Sequence, residues 1–238
     1  MTEETMTMTH TRASVWPRAA KLAGPFLMGY LPVGFAYGVL AQKAGLGLPL
    51  TVLMSVIVFA GSAQLIAVGL FSAGAGPLTI IATTFVVNLR HLLMSAALSP
   101  YLGKWRPAAL AALAAELTDE SFAMHSSRFA KGDMDPRLTF AVNVIMHATW
   151  VVGSMAGAVA GSAVADVRPL ALDYALPAMF IALLAAMVRD RLTLLVSLGA
   201  GLASTGLAMA GVSDWNVILA TVAAASVGAC CPAKRRAS

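Results

Sequence analysis

The chain has 238 residues, of which 59% are hydrophobic and 11% charged, with a mean hydropathy of +0.80. A soluble domain carries about 25% charged residues, so this composition excludes an ordinary soluble globular protein and points to an integral membrane protein. The formal net charge of +5 does not mark a nucleic-acid binder, because the Lys and Arg residues sit between apolar runs and at both ends instead of forming one patch.

Residues 1–21 are Thr-rich and lack an apolar core, so they read as a disordered cytoplasmic tail and not as a signal peptide. Residues 22–231 read as one transmembrane domain, and 232–238 as a basic cytoplasmic tail. At about 20 apolar residues per span, the spacing predicts eight helices, over 22–42, 50–72, 77–98, 107–129, 138–160, 171–188, 191–210 and 215–231. The expected class is therefore an all-α polytopic membrane protein.

The first span holds Pro25 and Pro32 among Gly24, Gly29 and Gly34. Proline removes a backbone donor and glycine loosens the helix, so this span is expected to be kinked or broken. Broken backbone in a membrane must face protein or water. That makes Pro32 and Gly34 candidates for a substrate site at a half-helix end. In the second span, Ser62 and Gln64 can hold a polar ligand or bond neighbouring helices together.

The third span carries Asn88, Arg90 and His91 where lipid-facing residues would be apolar. The fourth carries Glu116, Asp119 and Glu120. An ionised group at mid-membrane costs about 2.5 to 3.5 kcal/mol on the mildest insertion scale, so these charges are expected to pair. Counted from a hairpin at 99–106, Arg90 lies about 12 Å deep and Glu116 about 13 to 14 Å deep, which pairs Arg90 with Glu116. Three carboxylates on one helix face cannot all be ionised cheaply, so Asp119 or Glu120 is left to carry a proton.

The fourth span rests on the positive-inside rule. With it, eleven Lys and Arg residues fall inside against Lys43, Lys104, Arg106 and Arg168 outside, and both termini are cytoplasmic. Gly34 and Gly38 recur at an offset of 119 as Gly153 and Gly157. That echo fits either a weak internal repeat or close helix packing through small residues. His91, His125 and His147 lack metal-ligand spacing and the only cysteines are the adjacent Cys230 and Cys231, so no metal and no cofactor is expected. Asp173 reads as a cap for the sixth span.

The motifs Pro32-Val33-Gly34-Phe35-Ala36-Tyr37-Gly38, Phe59-Ala60-Gly61-Ser62-Ala63-Gln64, Asn88-Leu89-Arg90-His91 and Leu117-Thr118-Asp119-Glu120-Ser121-Phe122-Ala123 together resemble the AzlC family. Those proteins are the large subunits of two-component branched-chain amino acid exporters. The resemblance implies a bacterial inner-membrane protein that works with a small AzlD-like subunit and exports hydrophobic amino acids such as valine, leucine, isoleucine or methionine. No nucleotide-binding partner is expected. Two other readings compete: a scaffold with no transport of its own, and an intramembrane hydrolase with Ser62 as nucleophile and His91 or His147 as base.

Overall fold

The computed structural model describes residues 14–163, 190–212 and 216–230, together with positions 174, 178, 181, 184, 185 and 188. The described residues are helical with no strand, in two compact units, Met1–Phe180 and Ile181–Ser238. The first unit contains α1 (Val15–Lys43), α2 (Gly47–Val58), α3 (Gly61–Ser72), α4 (Pro77–Asn88), α5 (Arg90–Leu98), a short 3-10 turn (Ser99–Tyr101), α6 (Pro107–Ala115), α7 (Asp119–Ala130) and α8 (Pro136–Ala163). The second contains α9 (Arg191–Met209) and α10 (Asn216–Cys230). Most of the expected sixth span, Asp173 included, and the two tails over 1–13 and 232–238 lie outside the described residues.

Four runs among the described residues are long and apolar enough to cross a membrane: α1, Pro77–Tyr101, α8 and α9. The other expected spans differ in an instructive way. Helices α2 and α3 have 12 residues each and α6 has 9, so at 1.5 Å per residue they reach about 14 to 18 Å, half a bilayer core. They form hairpins. A straight helix would separate Ser55 from Gln64 by about 13 to 14 Å, yet Gln64 Nε2 donates to Ser55 Oγ at 3.2 Å. Likewise Trp105 and Phe129 would be about 36 Å apart along one rod, yet their rings are 6.0 Å apart. The expected second and fourth spans are therefore not single crossings.

Local chemistry explains each fold-back. Between α2 and α3, Phe59 takes the left-handed region with φ 35°. Between α6 and α7, Thr118 accepts from Ser121 N at 3.2 Å and Thr118 N donates to Ser121 Oγ at 2.8 Å, a reciprocal cap that starts a new helix. Asp119 and Glu120 then fall in the first turn of α7, where the helix dipole favours negative charge.

Helix α1 is the reverse correction. It is one uninterrupted helix through Pro25 and Pro32, and it begins at Val15, so residues 15–21 are helix and not tail. Arg18 anchors this end through Asp133 at 2.8 Å. Ala19 and Ala23 are fully buried.

The core of the unit is α1 against α8, running in the same direction. Gly34 lies against Trp150 and Gly38 against Ser154 and Ala158, while Gly161 meets Val39 and Gln42. A Cβ on Gly38 would sit 2.1 Å from the Ser154 carbonyl oxygen, and one on Gly157 would sit 2.0 Å from that of Phe35. The repeated glycines are the seam itself, which accounts for the echo by backbone contact through small residues.

Two ends of the unit follow from these contacts. The start of α1, the end of α7 and the start of α8 meet through Arg18, Arg128 and Asp133, and Tyr101 and Trp105 join them at Phe129 and Phe140. At the other end, Tyr37 of α1 donates to the Thr51 carbonyl of α2. Hairpin α2/α3 enters from that end, and hairpin α6/α7 from the first. In the second unit, α9 and α10 run antiparallel: Gly228 faces Val196, and Asn216 Nδ2 reaches the Ser204 carbonyl at 3.3 Å.

Candidate functional site

The two hairpin tips, Phe59-Ala60 and Glu116-Leu117-Thr118, meet beside Asn88, Arg90 and His91, which flank Leu89, the single turn residue that separates α4 from α5. Three interruptions of helical backbone thus share one place. Around them lies a crevice lined by Tyr30 of α1, Ser62 of α3, Arg90 and His91 of α5, Thr118, Asp119 and Glu120, and Trp150 of α8.

Arg90 is the centre of its charge. Its Nη1 pairs with Asp119 Oδ2 at 2.6 Å, and its Nη2 donates to Ser62 Oγ. Sequence depth paired Arg90 with Glu116; the fold-back at 116–118 instead turns Glu116 towards α8. There it meets His147 Nδ1 at 3.0 and 3.1 Å. Glu120 accepts from the Tyr30 hydroxyl at 3.0 Å, and Tyr30 also bonds Thr118 Oγ1 at 2.6 Å. The acids therefore have three different partners.

The structure places the other sequence candidates as follows. Asn88 ends α4, and its Oδ1 is buried with no hydrogen-bond partner. Gln64 is fully buried, accepting from Trp150 Nε1 at 3.0 Å and donating to Ser55, so it braces the crevice wall. Gly34 packs against Trp150, and Pro32 is exposed; neither lines the crevice. The site thus brings together Ser62, Arg90, Asp119 and Glu120, with Glu116 and Asn88 beside it.

The crevice is nearly closed, at about 20 Å³, room for about one water molecule. It adjoins a cavity of about 230 Å³ lined by Val58, Phe59, Ala60, Asn88, His91, Ala114, Ala115 and Leu117. Through Ala114 and Leu117 this space borders an apolar one of about 290 Å³ between Leu98, Leu102, Leu110 and Leu113. Polar and apolar recognition thus lie side by side.

Sequence reasoning missed Tyr30 and Trp150, quoted Phe59 and Thr118 only as parts of family motifs, and met His147 only as a candidate hydrolase base. A signal existed for Thr118, because Thr-Asp-Glu-Ser is a helix-start pattern. No described group of His, Cys, Asp and Glu could hold a metal ion.

Half-length hairpins meeting at a partly buried ion pair inside a frame of long apolar helices mark an all-helical membrane protein. A family model described as AzlC protein matches residues 25–164, and the chain belongs to the AzlC family. It is 28% identical over 205 residues to the inner membrane protein YgaZ of Escherichia coli, covering 84% of this chain and 82% of that one. It is 29% identical over 159 residues to the branched-chain amino acid transport protein AzlC of Bacillus subtilis, covering 66% and 61%. An uncharacterized membrane protein of Helicobacter pylori is 31% identical over 139 residues, or 57% of this chain and 60% of that one. The match thus spans about three fifths of the Bacillus and Helicobacter proteins. No solved structure matches the chain.

Proposed function

We propose that this chain is a secondary exporter of hydrophobic amino acids such as valine, leucine, isoleucine and methionine. It works in the bacterial inner membrane with a small AzlD-like subunit and couples export to protons. The observation that carries the reading is the meeting of two opposed half-length hairpins at the Arg90–Asp119 pair. Helix interruptions at membrane depth are tolerated where they face protein or a polar path.

An amino acid zwitterion needs donors for its carboxylate, acceptors for its ammonium and an apolar wall. Arg90 with the uncapped start of α3 supplies the first, Asp119 and the unpartnered Asn88 Oδ1 the second, and the 230 Å³ cavity the third. Because the crevice itself is nearly closed, the hairpin tips part to admit the substrate. The Bacillus relative is described as a branched-chain amino acid transport protein, which supports the substrate class.

In the membrane, α1, Pro77–Tyr101 and α8 cross, and the two hairpins re-enter from opposite faces. Lys104 and Arg106 then join Arg18, Lys21, Arg128, Lys131 and Arg137 on the cytoplasmic side. The chain-wide charge count moves from eleven against four to thirteen against two, which strengthens the positive-inside argument. Counted with the spans that the sequence predicts over 171–188, 191–210 and 215–231, six crossings and two hairpins replace eight crossings, and both termini remain cytoplasmic.

The hydrolase reading lacks a nucleophile–base contact. Among the described residues the Ser62 hydroxyl bonds Arg90 and no histidine, and His147 is occupied at both nitrogens by Glu116 and the Ser55 carbonyl. The decisive experiment loads cells with dipeptides of candidate amino acids and follows efflux with this chain alone, with a small AzlD-like subunit, and with neither. Efflux equal in all three arms would overturn the reading.

A further inference from the structure

Hydrogen-bond accounting at His147 locates one proton. Its Nε2 lies 3.1 Å from the Ser55 carbonyl oxygen, which can only accept, so Nε2 carries a hydrogen. Its Nδ1 lies 3.0 and 3.1 Å from the two Glu116 oxygens. A ring already protonated at Nε2 offers only a lone pair at Nδ1, and an ionised carboxylate also only accepts. The contact therefore forms with one further proton between them, on the ring or on the carboxyl.

The same ring holds both hairpin tips. Ser55 lies in the last turn of α2, Glu116 closes α6, and His147 belongs to α8. The imidazole also stacks on Phe59, with centroids 4.1 Å apart and planes at 10°. Asp119 and Glu120 need no such proton, since Arg90 satisfies the first and Tyr30 donates to the second.

We infer that the Glu116–His147 pair is the proton-binding site of the transport cycle, and that its proton clamps the two hairpin tips to α8. The inference rests on the export reading above. The side chains are 18% and 25% exposed, and Ala115 and Leu117 beside Glu116 line the 230 Å³ cavity, so the proton can leave to water there. Its loss sets the Nδ1 lone pair against a carboxylate, and the repulsion parts the tips. The other titratable or charged groups at this crevice are Tyr30 of α1, Arg90 and His91 of α5, and Asp119 and Glu120 of α7. Helices α2, α3 and α6 contribute none.

The test uses everted membrane vesicles from cells expressing the full chain with the subunit combination that supports efflux. Two readouts are followed for labelled leucine: exchange against unlabelled leucine, and accumulation driven by an imposed pH gradient. Glu116→Gln keeps the contact, because its amide donates to Nδ1, but it exchanges a charge-assisted bond for a weaker neutral one, so the tips part without a proton being released. It is expected to retain exchange within about threefold and to lose at least tenfold of the gradient response. Glu116→Asp retains a titratable group on a shorter arm and should shift the pH midpoint of transport, and it decides the matter if Glu116→Gln does not insert. Absence of exchange in the wild type would overturn the export reading itself. Wild-type exchange with an unchanged gradient response in Glu116→Gln, or an unchanged midpoint in Glu116→Asp, would overturn the proton assignment alone.

Discussion

Changing Gly38 to alanine tests whether the glycine seam between α1 and α8 holds the first unit together. The new methyl carbon would lie 2.1 Å from the Ser154 carbonyl oxygen and 2.7 Å from Ala158 N. Both are backbone atoms of α8 and cannot rotate away, so the helices must separate by about 1 Å to restore ordinary contact. Overpacking of this kind costs about 1 to 3 kcal/mol. For a chain of this size that lowers the melting temperature by about 2 to 12 °C. Gly157→Ala should behave alike, since its methyl would meet the Phe35 carbonyl at 2.0 Å. Gly24→Ala is the control: nothing lies within 4 Å of its Cβ position, and relief of glycine's entropy cost favours alanine in a helix by about 0.5 to 1 kcal/mol. Thermal unfolding of the detergent-purified chain, followed by tryptophan fluorescence, reads all three. Equal melting temperatures for Gly38→Ala, Gly157→Ala and Gly24→Ala would refute the seam.

Reporter fusions after Lys104 and after Lys131 should give the same sidedness, because both loops lie at one end of the unit; opposite signals would restore a fourth crossing. Arg90→Ala strands Asp119, and breaking one side of a buried pair costs up to about 3 to 5 kcal/mol, less here because both side chains are partly exposed. Adding Asp119→Asn should recover membrane levels but not export, and export at the wild-type rate from that double variant would remove Arg90 from the mechanism. At the end of the unit where α1 begins, the hydrogen bond from Arg128 holds the Asp133 carboxyl below its usual range. Its folded value is depressed, so its contribution to stability is complete above the unfolded value and is lost as pH falls through the folded one. Stability of the wild type relative to Asp133→Asn should therefore be constant across neutral pH and shrink only in strong acid, as pH-dependent melting would show; a difference that varies between pH 6 and 8 would contradict this.

Helical class, the long apolar runs and the charged members of the crevice, Arg90, Asp119 and Glu120, were legible in the sequence, because apolar length and intramembrane charge are strong local signals. The hairpins were not. Residues 50–72 and 107–129 each carry enough apolar side chains for one crossing, and hydropathy does not register direction reversal. The cap formed by Thr118 and Ser121 is a helix-start pattern that the reading of residues 107–129 as one span passed over. Pro25 and Pro32 misled in the opposite sense, since neighbouring helices can support a proline within a continuous membrane helix. Depth along a straight helix also paired Arg90 with the wrong carboxylate, because the arithmetic failed at the very residue where the chain turns.

The left-handed backbone of Phe59 has an energetic consequence for opening. A residue with a bulky side chain held at positive φ carries about 1 to 3 kcal/mol of local strain. Here the imidazole of His147 lies flat on the ring and Tyr30 meets it edge-on at 6.2 Å, so packing holds the tip in a shape that the backbone alone would abandon. The closed hairpin is in this sense a compressed spring. In the export reading, that strain amounts to a bias of about five- to 150-fold towards a tip that has left this backbone region.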